Sequence, residues 1–425
     1  MQLNHTFLFR IGVATVLHVG ALSANANGFD LADEDAFAIG RGMAFVATAD
    51  NPSAIYYNPA GISQLEGNNL RAGVYGFYLD PTYQRLSGGN SFDNERKYHV
   101  VPQLYYTLSL KELPLSFGLG VYSPLGLSSK WPQDTGFRTV ATEASLTYYT
   151  INPVAAWRIL TNLSIAAGPT VNYMDADLEQ GLVWPYQGFD NFKFKGDGWT
   201  VGYNLGALWK VHEKVSLGAT FRSGTDPRLG GTTEYYNNVA LSSGALTVPA
   251  FSSQSVGAKA DLSTPFQAVA GISYRPTPKW NLEFNAEYTD WNEVGTIQIH
   301  QERGFDSLIS QNVTINLDWK SSWYYEFGAT RYFDNGWHIS AGYIFNENSA
   351  PDANYSPVVA DLDRHFFSVG VGHTGRHFDF DIAYQFGYGF ARTVTGSGFS
   401  TTGQTADGRY DYISHLVALS VGYHF

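Results

Sequence analysis

The 425-residue chain contains no cysteine, which excludes disulfide scaffolds, thiolate metal sites and cysteine nucleophiles. Charge is scarce: Asp, Glu, Lys and Arg together reach 15%, against roughly 25% in an ordinary soluble chain. The charge present leans acidic, 26 − 38 = −12, without basic runs. Nucleic acid is thereby excluded as a partner, because its phosphates need clustered Lys and Arg. After residue 26 there is no apolar run of 18 or more, so no transmembrane helix is expected. What the chain does have is aromatic side chains, at 16%, and 44 glycines. A long chain that is poor in charge, rich in Tyr, Phe and Gly, and free of spanning helices points to an all-β transmembrane barrel. The two or three soluble domains that its length would otherwise suggest fit less well.

The N-terminus reads as an address. Arg10 precedes an apolar stretch from Ile11 to Leu22, and Ala24-Asn25-Ala26 follows. This is the pattern of a secretory signal, with cleavage expected after Ala26, and 1–26 is assigned to it. Residues 27–67 do not alternate. They hold Gly40-Arg41-Gly42 and two Asn-Pro pairs, Asn51-Pro52 and Asn58-Pro59, and Asn before Pro is a helix-start signal. Two or three short helices are expected here, suited to plugging the lumen of a barrel formed by 68–425.

From residue 68 onward, period-2 alternation recurs. Trp199, Val201, Tyr203, Leu205, Ala207 and Trp209 alternate with Thr200, Gly202, Asn204 and Gly206. Similar runs occur near 70–83, 98–110, 115–122, 143–159, 163–175, 215–222, 265–275, 280–288, 312–331, 337–346, 364–373, 378–389 and 411–425, about fourteen in all. Short turns and long connections alternate strictly, as expected when one rim faces the periplasm and the other the exterior. Trp157, Trp209, Trp280 and Trp337 fall at the short turns. Trp199, Trp291, Trp319 and Trp323 fall toward the long connections, and two aromatic levels are what lipid-facing girdles require. The last strand runs to a terminal Phe425, as a closed barrel without a tail would.

Two long connections are unusually apolar. One carries Leu182, Val183, Trp184, Tyr186, Phe189 and Phe192, and the next carries Leu241, Leu246, Val248 and Phe251. A cluster of exposed apolar groups marks a binding surface, although packing of the loops on each other as a lid would leave the same pattern. Asp379 and Asp381 share a strand face, spaced so that hydrolytic acid–base chemistry is geometrically allowed. Inward-facing polar residues of a barrel explain them more simply. His365, His373 and His377 lack ligand spacing, and no nucleophile elbow, phosphate loop or zinc motif is present. No enzyme activity, metal or cofactor is therefore expected.

The residues also resemble the FadL family of outer-membrane transporters for long-chain fatty acids and other hydrophobic compounds. The resemblance spans the mature chain. It is carried by Gly28-Phe29-Asp30-Leu31, Gly40-Arg41-Gly42, Tyr57-Asn58-Pro59-Ala60, Gly196-Asp197-Gly198-Trp199, Tyr288-Thr289-Asp290-Trp291, Asp361-Leu362-Asp363-Arg364-His365 and Gly422-Tyr423-His424-Phe425. It implies a fourteen-stranded barrel with an N-terminal hatch that includes Asn58, Pro59 and Ala60. It also implies passive uptake of hydrophobic molecules, captured by the loops and released sideways through a gap at the third strand. Leu115–Tyr122 would be that strand and Ser123-Pro124-Leu125-Gly126 its irregular end. Expected partners are the hydrophobic ligand, outer-membrane lipid and lipopolysaccharide, and the barrel-assembly machinery acting on Phe425; the expected state is a monomer. One departure from the pattern concerns the head group. A fatty acid calls for a basic residue, since an unpaired buried charge is costly, yet Asp175, Asp177, Glu179 and Gln180 follow the fifth strand. Lys130, Arg138, Lys193 and Lys195 are the candidates to serve; neutral hydrocarbons are the alternative ligand. A general porin and a barrel-embedded lipid-modifying enzyme are the remaining rivals.

Overall fold

The computed structural model describes residues 29–31, 33–95, 98–182, 190–237, 241–243, 246–248, 250–304, 310–398 and 403–425. Fourteen antiparallel strands close a ring. The first seven are β1 (Asn68–Gln84), β2 (Tyr98–Ser109), β3 (Leu115–Lys130), β4 (Glu143–Leu160), β5 (Leu163–Gln180), β6 (Asp190–His212) and β7 (Val215–Arg222). The second seven are β8 (Gln267–Thr277), β9 (Trp280–Thr289), β10 (Ser322–Tyr332), β11 (Trp337–Asn346), β12 (Arg364–Thr374), β13 (Phe378–Val394) and β14 (Gly408–His424). Each strand pairs with the next, and β14 pairs with β1 from Asn69↔His424 to Gln84↔Arg409. Strands β3, β5, β6 and β13 run past the lengths that alternation alone marked, because pairing continues above the band of apolar residues.

The alternation has the sense of a membrane barrel. On β6 Trp199, Val201, Tyr203, Leu205 and Trp209 are exposed, while Asn204 is buried. On β9 Asn281, Glu283, Asn285 and Glu287 are the buried face; on β14 Val417, Leu419 and Val421 are exposed. Polar residues inside and apolar residues outside invert the soluble order, which is stable only where lipid is the solvent. Among the described residues no helix is long and apolar enough to cross a membrane.

Three expectations are corrected. The run 312–331 is not one strand: Asn312–Asn316 ends before Ser322 starts β10. Two of the long connections, the one between β7 and β8 and the one between β9 and β10, are not wholly loop either. Strands Arg228–Asn237, Phe251–Asp261, Thr296–Gln301 and Asn312–Asn316 extend the outer half of β6 into a sheet beyond the ring. Apolar residues on its inner face, such as Leu229, Ala260 and Ile299, give it something to bury. Finally, Trp157, Trp209, Trp280, Trp337, Trp199 and Trp323 lie at the surface, but Trp291 and Trp319 do not; they are 0% and 2% exposed. Trp291 sits in a single 3-10 turn after β9 and Trp319 in a connection. Neither is bound by strand alternation, and both turn inward.

The N-terminal segment lies within the ring. Asp35 caps the short helix α1 (Ala36–Gly40), accepting from Phe37 N. Helix α2 (Ala54–Tyr57) follows, then a 3-10 helix over Pro59–Gln64 capped by Asn58. Both Asn-Pro pairs thus act near helix starts. Asn58 Nδ2 also donates to Val46 O and, across the lumen, to Ala207 O of β6 at 2.9 Å. Gly206 allows that approach: a Cβ there would lie 2.5 Å from Asn58 Oδ1 and 2.8 Å from Pro59 Cδ.

Candidate functional site

An apolar pocket forms where the outer sheet meets the ring. Phe29, Leu146, Ala176, Phe192, Ile299 and Trp319 are among its lining residues, and its free volume is about 90 Å³. Phe29 anchors its floor, with ring centroids 5.1 Å from Trp291 and 5.8 Å from Trp319. Of the residues expected in capture loops, Phe192 lines this pocket. Leu182 packs against its edge and donates its N–H to Asp190 Oδ2 at 2.9 Å. Leu246 lies in a small ribbon with Ser243, and Phe251 opens a strand of the outer sheet. Val183, Trp184, Tyr186 and Phe189 lie outside the described residues.

Below the pocket the wall is interrupted at β3. Pairing of β2 with β3 runs from Ser109↔Ser116 to Leu104↔Val121 and stops there. On its other side β3 stays paired to β4, with a register shift between Tyr122 and Leu125. Pro124 supplies the reason, since it has no N–H for a ladder and belongs at bulges. Ser123-Pro124-Leu125-Gly126 is therefore a bulge within a longer strand rather than the strand's end, and Ser123 through Leu127 are all buried. The edge released from β2 is taken from inside by the N-terminal segment. Leu31 N donates to Pro124 O and Gly126 N to Phe29 O, both at 2.7 Å, making an Asp30↔Leu125 bridge. Glu34 Oε1 accepts from Ser123 N at 3.0 Å. Above the interruption, Glu95 N donates to Lys130 O at 2.8 Å and restores contact. The result is a window between β2 and β3, lined by residues such as His99, Leu127, Ser128 and Arg364. Leu127, Val358 and Val359 line both the window and the apolar pocket.

The segment that covers the window is acidic and buried. Asp30 Oδ2 accepts from Gln267 at 3.1 Å and from Tyr324 at 3.2 Å. Burial pushes the Asp30 carboxyl up to about 6 against the pull of Arg222. Burial, reinforced by Asp30, pushes Asp33 up to about 7. Glu34 is raised further by burial, which outweighs its bond from Ser123. The next part of the segment is held differently. Arg71 of β1 reaches Asp35 at 2.5 and 3.0 Å and Asp381 of β13 at 2.7 Å. His338 Nε2 lies 2.7 Å from Asp381, and His424 Nε2 lies 3.3 Å from Asp379. Asp379 and Asp381, which sequence spacing left open to hydrolysis, are thus part of a latch between wall and α1. His365 meets Tyr343 Oη at 2.7 Å and His377 meets His424 O at 3.2 Å; His373 packs on Trp337.

The four candidate cations have carboxylates for neighbours or face away. Lys130 pairs with Glu143 at 2.9 Å, Arg138 with Asp190 at 2.7 Å and Lys193 with Asp177 at 2.7 Å. Lys195 is exposed, on the strand face opposite Phe192 and Phe194. Sequence reasoning gives Arg364, Trp291 and Trp319 no role at the site. Arg364 lay inside one of the family-like motifs without a role attached to it.

Comparison with known proteins agrees with this architecture. The chain is 23% identical over 404 residues to the long-chain fatty acid transport protein of Escherichia coli (strain K12), covering 86% of this chain and 88% of that protein. It is 23% identical over 419 residues to the putative outer membrane protein NMB0088 of Neisseria meningitidis serogroup B, covering 87% and 88%. The fold is similar to that of a Pseudomonas aeruginosa FadL homologue, with TM-score 0.80, 18% identity and coverage of 93% and 99%. It is also similar to the Pseudomonas putida toluene transporter TodX, with TM-score 0.72, 16% identity and the same coverage. Residues 17–425 match the family described as outer membrane protein transport protein (OMPP1/FadL/TodX), and the chain belongs to that family.

Proposed function

We propose that the protein is a passive outer-membrane channel for hydrophobic molecules, with long-chain fatty acids as the principal ligands and neutral hydrocarbons as the alternative. Ligand enters the apolar pocket from the exterior, crosses Leu127 and Val358–Val359, and leaves sideways through the window into the bilayer. The observation that carries this reading is the continuity of an apolar pocket with a break in strand pairing, because a ligand that prefers lipid gains nothing from an aqueous exit. The segment 27–67 acts as the hatch. Its strap Phe29–Glu34 is the moving part, whereas Asn58, Pro59 and Ala60 anchor the remainder to β6. The pocket is smaller than the roughly 150 Å³ that admits benzene in an apolar protein core, so entry displaces side chains and couples capture to the strap through Phe29. Cleavage after Ala26, folding through the barrel-assembly machinery at the exposed Phe425 and a monomeric state surrounded by lipid and lipopolysaccharide complete the proposal.

The test is to fill the pocket. Ala176→Phe adds a ring where Ala176 is 1% exposed. Uptake of radiolabelled oleate and of toluene is then measured in a strain lacking its own transporter. Uptake should fall at least tenfold while heat-modifiable gel migration persists. Undiminished uptake by a folded variant would remove the pocket from the route.

A further inference from the structure

Buried indoles cluster around the apolar pocket, and their N–H groups are not all spent. Trp131 Nε1 donates to Pro357 O at 2.9 Å. Trp291 and Trp319, 0% and 2% exposed, have no acceptor for Nε1 among the described residues. A buried indole N–H ordinarily finds a partner, because leaving it unmade forfeits the hydrogen bond it had with water. Of these two, Trp319 lines the pocket and Trp291 does not. The carboxylates at the pocket are answered from the wall: Lys130 lies 2.9 Å from Glu143, and Lys193 lies 3.9 Å from Glu179. The lining therefore asks no charge of a ligand and offers it an uncommitted donor.

The placement of Trp319 is built rather than incidental. Asp318, just before it, has a φ of 44°, in the left-handed region that a short acidic side chain tolerates better than most. With the chain turned there, Leu317 N and Asp318 N both donate to Gly295 O at 2.9 Å, and Lys320 N donates to Ser349 O at 2.9 Å. Asn354 Nδ2 donates to Asp318 Oδ2 at 2.7 Å. The backbone is thus pinned on both sides of Trp319. Its ring is pinned as well, with centroids 5.2 Å from Trp291 at 72° and 5.8 Å from Phe29. A donor fixed before the ligand arrives costs little further ordering on binding.

We propose that Trp319 is a specificity-determining residue of the pocket: its indole N–H donates to the carbonyl oxygen of a neutral hydrophobic ligand, a ketone or ester, while the hydrocarbon lies against Leu146, Ala176 and Ile299. The assignment rests on the capture reading above and adds a ligand class to it, set between ionised acids and plain hydrocarbons. A hydrocarbon leaves the N–H unmet. A ketone or ester meets it and brings no charge into a pocket whose own charges are paired. A site that offers a hydrogen bond discriminates against the analogue lacking the partner, since the protein's donor then stays buried and unpaired.

The experiment compares acetophenone with cumene, which share a skeleton except that a carbonyl oxygen replaces a methyl group. Binding of each radiolabelled compound to the purified full chain in lipid nanodiscs is read by equilibrium dialysis, referenced to partition into empty nanodiscs. Wild type, Trp319→Phe and Trp291→Phe are compared, with heat-modifiable migration reporting the fold. Wild type is expected to bind acetophenone roughly three- to tenfold more tightly than cumene, the worth of one neutral hydrogen bond. Trp319→Phe keeps an aromatic ring without the N–H and should abolish the preference, with cumene affinity changing by less than about threefold. Trp291→Phe removes an equally unspent donor that does not line the pocket, and should keep the preference. A preference that survives Trp319→Phe, or is lost as fully in Trp291→Phe, would overturn the assignment. So would a wild type that binds both compounds equally, a readout that stays decisive if Trp319→Phe fails to fold. In each of those cases the capture reading stands; a wild type that binds neither compound would refute that reading too.

Discussion

Replacing Arg71 with methionine should release α1 from the barrel wall. The guanidinium is 1% exposed and lies among Asp35, Asp379 and Asp381 at 2.5 to 3.5 Å. Methionine preserves much of the apolar stem and leaves three carboxylates without their shared cation; His338 and His424 offset only part of that. Breaking a buried ion pair by removing one partner costs about 3–5 kcal/mol. At about 1.4 kcal/mol per tenfold, the undocked fraction of α1 should rise by roughly two to three and a half orders of magnitude. The ring should survive, because its fourteen strands pair without α1. Hydrogen exchange of amides in residues 36–43, followed by mass spectrometry in nanodiscs, reads the release directly. Planar-bilayer conductance reads whether the lumen opens. Exchange within about threefold of wild type would refute the view that this latch holds the hatch.

Two further outcomes are expected. Asp30, raised to about 6, and Asp33, raised to about 7, together with the raised Glu34, bind more protons when the strap is docked than when it is released. Docking should therefore weaken as pH rises from about 4 through about 7; hydrogen exchange of the strap should accelerate over that interval, and the paired change Asp30→Asn with Glu34→Gln should make the profile shallower. Gly206→Val would drive a branched side chain into Asn58 and Pro59, where even a Cβ lies within 2.8 Å. Limited proteolysis should then cut between residues 58 and 65 in the variant and leave wild type intact; equal resistance would mean that the approach of the 3-10 helix to β6 is not needed.

Much of the barrel was legible because alternation is a local property. Trp199 through Trp209 on β6 point outward as period 2 demands, and strand count and closure followed from the spacing of the turns. The short helices at the two Asn-Pro pairs were legible for the same reason, since capping is settled within three or four residues. Trp291 and Trp319 were misplaced because neither lies in a regular strand, so period 2 says nothing of their direction. The outer sheet was taken for loops because its short strands pair with partners tens of residues away.

The candidate site divides along the same line. Pro124 marked the weak point of β3 in the sequence. What could not be seen was that β2 lets go at Val121 and that Phe29–Leu31 takes the free edge. Arg364 is an arginine in a family-like motif until the pairing of β12, β13 and β14 sets its guanidinium over the Tyr412 ring and beside the window. By itself, then, the sequence determined a lipid-solvated barrel with a plug, because periodicity, turns and caps act between near neighbours. Tertiary structure alone decided where the wall opens and which cation lies along the route, because both depend on strands far apart in the chain meeting across a closed ring.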